Sequence, residues 1–163
     1  MLNRMGEDSK ILRGSIARLF EKIAKWIGLS SNAGPILAAL FIEKYKTGNR
    51  LSSEELCRAT GYSRANAGLI ISQLEGLGVI EGQRDYNQTG RGRKRLLYAI
   101  HGGFADIFQL GILSIHDRLE SMMSDITHIE GTEDPRFSQM FKDMRNVIDL
   151  KRSELQGMKQ PTT

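Results

Sequence analysis

Apolar residues recur at three- and four-residue steps through most of this chain, and the breaks are marked by glycine, serine or proline. The spacing predicts a helix over residues 8–28. Leu12, Ile16, Leu19, Ile23 and Trp26 form a heptad-like stripe, widened by Ile11, Phe20 and Ile27. A second helix follows, capped by Ser30 or Ser31 and opened by Pro35, whose missing N–H suits a first turn. Its core face is Ile36, Leu37, Leu40, Phe41 and Tyr45. It ends over residues 46–49, with Arg50 and Leu51 as candidates for a short strand. The run LSSEELCRAT predicts a third helix, capped by Ser52 or Ser53, with Glu54 and Glu55 where negative charge suits the helix dipole. Gly61 stops it, because glycine accepts a left-handed exit. Ser63 caps a fourth helix over 63–77, whose buried face is Ala67, Ile70, Ile71, Leu74 and Leu77. Two β-like runs, VIEGQRDY and KRLLYAI, then flank NQTGRGRK; Leu96, Tyr98 and Ile100 alternate toward one face of the second. The longest helix carries Phe104, Phe108, Ile112, Ile115, Leu119, Met122, Ile126 and Ile129, an a/d seam in steps of four and three. Gly131 and Pro135 bracket a turn. A last helix with Phe137, Met140, Phe141, Met144, Val147 and Ile148 is expected to pack back antiparallel on the long one.

Helix, sharp turn, helix, strand, basic hairpin, strand is the order of a winged helix-turn-helix, a module that reads DNA. The expected fold class is therefore mostly α with a small β-hairpin wing, extended by long N- and C-terminal dimerisation helices. The expected organisation is an amphipathic dimerisation helix over 1–28, the winged module over 29–101, a helical dimerisation region over 102–157 and a flexible tail over 158–163. The outward face of the fourth helix bears Ser63, Arg64, Ala65, Asn66, Gly68, Leu69, Ser72 and Gln73. A merely solvated face more often carries Glu and Lys. Arg pairs with guanine and Asn with adenine in two-point geometry, and Leu69 or Ala65 suits a thymine methyl.

Charge sharpens this picture. The 163 residues carry a net charge of +4. Residues 84–95 hold Arg84, Arg91, Arg93, Lys94 and Arg95 against Asp85 alone, so that segment accounts for the whole excess. A local positive field favours a defined contact over general coating of nucleic acid. Arg91, Arg93, Lys94 and Arg95, interleaved with Gly90 and Gly92, are candidates for phosphates or a narrow minor groove.

The chemistry of an enzyme is not legible. His101, His116 and His128 lack metal-ligand spacing; His116 and His128 stand about 18 Å apart by helical rise. Cys57, the single cysteine, has no identifiable base partner and fits a reducing cytosol. No phosphate-binding glycine loop precedes a helix. We therefore expect no catalysis, no metal and no cofactor. The first residues lack the apolar core of a signal peptide and no run is long enough to span a membrane, so a cytoplasmic protein is expected. A basic amphipathic helix over 8–28 is also compatible with a membrane surface, although Glu21 and the break at Gly28 speak against it.

From about residue 24 to residue 100 the chain resembles the GbsR-type branch of the MarR-like winged-helix regulators. The residues that carry the resemblance are WIGLSSNAGPILAALFI, LSSEELCRATGYSRANAGLIISQLEGLGVI and GRGRKRLLYAI. Ser63, Arg64, Ala65 and Asn66 match the run that opens the family's recognition helix. Gly92, Arg93, Lys94 and Tyr98 match its wing. The chain departs from the family pattern at Ala67 and Gly68. The resemblance implies a homodimer that binds operator DNA and represses, with small osmolytes such as choline as effectors in some members.

The expected function is sequence-specific binding of double-stranded DNA by a homodimer, with helix 63–77 in the major groove and wing 87–95 on phosphates or the minor groove. The dimer is expected to form through Leu12, Ile16, Leu19 and Ile23, and through Phe108, Ile112, Ile115, Leu119, Met122 and Ile126. A small-molecule effector would find aromatic residues at Trp26, Tyr45, Phe104 and Phe108. The competing readings are a winged-helix adaptor that binds protein rather than DNA, and a long helix that folds onto its own domain.

Overall fold

The computed structural model describes residues 14–90, 92–131 and 134–159. The elements are α1 (Ser15–Trp26), a 3₁₀ turn (Ser31–Ala33), α2 (Gly34–Lys46), β1 (Leu51–Ser52), α3 (Ser53–Thr60), α4 (Arg64–Gly76), β2 (Ile80–Arg84), β3 (Leu96–Ile100), α5 (Phe104–Ile129), a second 3₁₀ turn (Pro135–Phe137) and α6 (Ser138–Lys159). The fold is mostly helical with one three-stranded antiparallel sheet in the order β1-β3-β2. The chain divides into two compact units between Ile107 and Phe108.

The first unit is built around α2. Gly34 and every residue from Ile36 to Phe41 are buried, the condition of a helix wrapped on all sides. Helix α1 packs on it through Ala17, Phe20, Ile23 and Ala24, with Ile27 just beyond; the Phe20 and Phe41 ring centroids are 5.6 Å apart. At Gly34 the two backbones nearly touch: a Cβ there would stand 2.7 Å from the Glu21 nitrogen. The helix predicted to stand apart as a dimerisation segment thus belongs to the winged unit. Ile23, predicted to face a partner, is core, while Ile16 and Leu19 stay exposed. The reason lies in the alanines. Ala17 and Ala24 complete a face with Phe20 and Ile27 and allow close approach, whereas a stripe counted on large side chains alone runs past them. Leu12 lies outside the described residues.

The helix-turn-helix is closed by its caps. The Glu55 N–H donates to Ser52 Oγ and the Ser52 N–H to Glu55 Oε1, both at 3.2 Å, a reciprocal capping box. Ser52 rather than Ser53 is therefore the cap. Gly61 exits left-handed at φ 75°. Ser63 then accepts the Asn66 N–H at 3.2 Å and opens α4. Helix α4 buries Ala67, Ile70, Ile71 and Leu74; Leu77 caps the helix end and is exposed, and Val79 and Ile80 take its place in the core. In β3, Tyr98 and Ile100 are buried, but Leu96 at the strand's open end is not. The short strand is Leu51–Ser52, paired with Tyr98 and Leu97. Arg50 lies just outside it and pairs with Glu81 at 2.9 Å.

The second unit has its own small core of Met123, Ile126 and Ile148, flanked by Leu119 and Phe141. Arg145 meets Glu130 at 2.6 Å and Arg152 meets Glu120 at 2.5 Å. Advance along α6 is retreat along α5, so these segments pack antiparallel. Ile126, predicted for the partner seam, is buried in this core. Phe108 and Met122 are exposed, and Ile112, Ile115 and Leu119 are half-buried.

Candidate nucleic-acid interface

Burial of Ala67, Ile70, Ile71 and Leu74 turns the opposite side of α4 outward. Ser63, Arg64, Ala65, Gly68, Leu69, Ser72 and Gln73 are exposed and Asn66 is half-buried. Leu69 is 61% exposed, a large apolar side chain held in water on an otherwise small and polar face. Arg64 stands 3.7 Å from Glu54, but with 86% of its side chain exposed this loose pair does little to hold it. The turn before α4 is pinned by Tyr62, whose hydroxyl donates to the Asn32 carbonyl at 2.8 Å. Burial, and secondarily the charge of Glu21, raises the pKa of that phenol, so it remains a donor.

The wing is organised by a carboxylate that faces one of its cations. The Arg95 Nε donates to Asp85 Oδ2 at 2.9 Å, the Asp85 N–H donates to the Arg95 carbonyl at 2.9 Å, and the Asn87 N–H donates to Asp85 Oδ1 at 3.1 Å. The Arg95 N–H in turn donates to the Gln88 side chain at 2.7 Å. Chiefly through the Arg95 hydrogen bond, the Asp85 carboxyl is held below the usual carboxylate range, against the opposing effect of burial. Arg95, predicted as a DNA contact, is thus the outer half of a clasp at the wing's base. Lys94 leans over the Tyr86 ring, 5.4 Å from its centroid, with Nζ 3.4 Å from the Tyr86 carbonyl. Arg93 is exposed and makes no ion pair among the described residues. Arg91 lies outside them.

Two clefts join these parts. One, between α3 and α4, is lined by Ser53, Glu54, Arg64, Gly68, Ser72 and Tyr98 among others. The other, under the wing, is lined by Ser53, Arg84, Arg93, Lys94, Arg95 and Tyr98 among others. They share Ser53 and Tyr98, so the edge of α4 that carries Arg64, Gly68 and Ser72 and the basic wing border the same two residues. Gly82 makes room for the Tyr98 ring: a Cβ there would stand 3.0 Å from it. Arg84 is the residue in this surface that sequence reasoning passed over. Only the hairpin register, which sets it opposite Leu96, brings it to the cleft.

Two of the aromatic residues predicted to cage an effector, Tyr45 and Phe104, lie in the first unit. Phe104 stacks on Phe41 with centroids 4.4 Å apart and on Tyr45 at 6.3 Å, so ring packs on ring where a cage needs space. His101 Nδ1 lies 3.2 Å from Glu81, and His116 is flanked by Asp117 and Glu120. Among the described residues no cluster of three or more His, Cys, Asp or Glu is suited to hold a metal ion, and no helix is long and apolar enough to cross a membrane.

A tri-helical core, a capped turn between α3 and α4, and a β2–β3 hairpin beside them define a winged helix-turn-helix. A solved structure described as the crystal structure of a transcriptional regulator is similar, with a TM-score of 0.58 and 19% identity over 88% of this chain and 92% of that one. A mutant of S. aureus MepR bound to an oligodeoxyribonucleotide aligns with a TM-score of 0.45 and 13% identity, over 86% of this chain and 92% of its own. At 19% identity the likeness to the first of these is one of fold. No family model and no curated protein matches the chain.

Proposed function

We propose that this protein is a double-stranded-DNA-binding transcription regulator of the MarR-like, GbsR-type kind, acting as a homodimer and repressing by occupying its operator. The observation that carries the reading is that the edge of α4 with Arg64, Gly68 and Ser72 and the basic cleft of the wing meet at Ser53 and Tyr98. By helical rise, the 13 residues of α4 span about 20 Å, enough to cross a major groove about 12 Å wide. Its N-terminal turn offers Ser63, Arg64, Ala65 and Asn66 to base edges, followed by Leu69, Ser72 and Gln73. Arg64 suits guanine in bidentate geometry, and Arg93 and Lys94 suit the backbone or minor groove. Exposed apolar side chains support pairing of two copies: Ile16 and Leu19 on α1, Phe108 and Met122 on α5, and Met140, Met144 and Val147 on α6. Two copies would read an operator in two half-sites.

The test is selection from a pool of random duplexes, followed by anisotropy over a salt series. We expect a two-fold-symmetric site. Arg64→Ala should cost about 1–3 kcal/mol on that site and relax the preference at one base pair per half-site. Arg93→Ala should weaken selected and unselected duplexes alike and flatten the salt dependence. Weak binding with no motif and no response to either substitution would refute DNA reading and favour a protein partner.

A further inference from the structure

The cations of the wing are not equivalent, and their inequality singles out a residue at the start of the hairpin. Arg95 is compensated: Asp85 holds its guanidinium, and Glu55 and Glu54 act on it through space. Lys94 is drawn to the Tyr86 ring and carbonyl and also acts on Asp85. Arg84 and Arg93 have neither kind of partner among the described residues, and both are exposed. They line one open cleft of about 470 Å³, with Ser53, the first residue of α3, also on its wall. An uncompensated pair of guanidinium groups beside a helix start attracts an oxyanion of fixed geometry.

We infer that Arg84 and Arg93, with Ser53 beside them, form a seat for one backbone phosphate of the bound duplex. This rests on the DNA-binding reading above and adds to it a positioning contact. A phosphate held between α3 and the wing sets the angle and register at which α4 enters the groove, without itself carrying sequence information. Arg95 then has a different task, holding the wing in the shape that brings Arg93 to the cleft that Arg84 also lines. The seat is formed from the start of α3, the end of β2 and the hairpin loop, so it exists only when the hairpin is in its observed register, with Arg84 opposite Leu96.

The experiment uses the full chain and a duplex selected by the wild-type protein, with single phosphates replaced in turn by neutral methylphosphonates. Wild type should lose affinity sharply at one position in each half-site, and Arg84→Ala should be indifferent at that same position. Arg84→Ala should also reduce the salt slope by about 0.9 for each seat engaged, with an equal loss on mismatched duplexes, while Arg84→Lys retains most of the slope. Thermal melts establish that each variant is folded. A selected duplex whose methylphosphonate scan is flat, or whose scan is the same for wild type and Arg84→Ala, overturns the seat but leaves DNA reading intact. A wild-type protein that selects no duplex overturns both.

Discussion

Gly34→Ala separates two accounts of α2 by the sign of its effect. Judged locally, the change should stabilise the protein. Gly34 has φ −55° and ψ −53°, which alanine adopts freely, and such a replacement commonly gains about 0.4–1 kcal/mol by restricting the unfolded chain. The structure predicts the reverse. The new methyl would stand 2.7 Å from the Glu21 nitrogen and 2.8 Å from its Cα, against the roughly 3.5–4.0 Å at which carbon atoms rest. Both are backbone atoms of α1 and cannot swing aside, so α1 must move by the better part of an ångström. Its buried residues, Ala17, Phe20, Ile23 and Ala24, move with it. Overpacking of this kind costs about 1–3 kcal/mol, leaving a net loss on the order of 1–2 kcal/mol and a fall in Tm of roughly 2–8 °C. The assay is thermal and urea unfolding followed by circular dichroism and by fluorescence of Trp26, the single tryptophan, which lies on α1 itself. Gly68→Ala serves as the internal control: it lies within α4 and its Cβ would meet nothing within 4 Å, so it should gain about 0.5–1 kcal/mol. If Gly34→Ala melts at or above wild type alongside Gly68→Ala, the close packing of α1 on α2 is wrong.

Four further outcomes are expected. Ser52→Ala removes the capping box of α3 and should lower stability by about 1 kcal/mol, a fall in Tm of roughly 2–4 °C. Asp85→Asn makes the wing more positive, so charge alone expects tighter DNA binding. The clasp expects binding weaker by roughly tenfold, the cost of ordering about one freed residue, and anisotropy decides between the two. The pH dependence has a definite sign. Because the Asp85 carboxyl is depressed, its contribution to wing order is complete above the ordinary carboxylate pKa of about 3.9 and is lost as pH falls through the lowered value. The Asn87 amide shift, read by NMR, should stay constant from neutral pH to that point and move only below it. Finally, replacing one thymine in a single half-site by deoxyuracil should cost wild type about fourfold, the worth of a buried methyl, and cost Leu69→Ala nothing. Equal losses for both proteins at every thymine would remove Leu69 from base reading.

Local chemistry made several elements readable from the chain alone. Gly61 marks the left-handed exit, Ser63 the cap of α4, and Ala67, Ile70, Ile71 and Leu74 its inner face, because each depends on neighbours within four residues. The outward residues of α4 follow from the same periodicity. The choice between Ser52 and Ser53 was open to sequence because either precedes a helical run; the Glu55 side chain, reaching back across one turn, decides it.

What needed the tertiary structure is of another kind. Four cations in five residues look alike in sequence, yet Asp85 stands ten residues before Arg95 and meets it only because the hairpin folds back on itself. The same fold brings Arg84 to the cleft and leaves Arg93 uncompensated. Likewise Ile23 and Ile126 have the spacing of partner-facing residues, but an amphipathic stripe records only that a face is covered, not by what. The chain by itself determined which residues make helices, where those helices stop, and that one helix shows water a face suited to base edges. Which charges are free to act and which apolar residues are already occupied was decided by long-range pairing, because compensation and burial belong to neighbours in space.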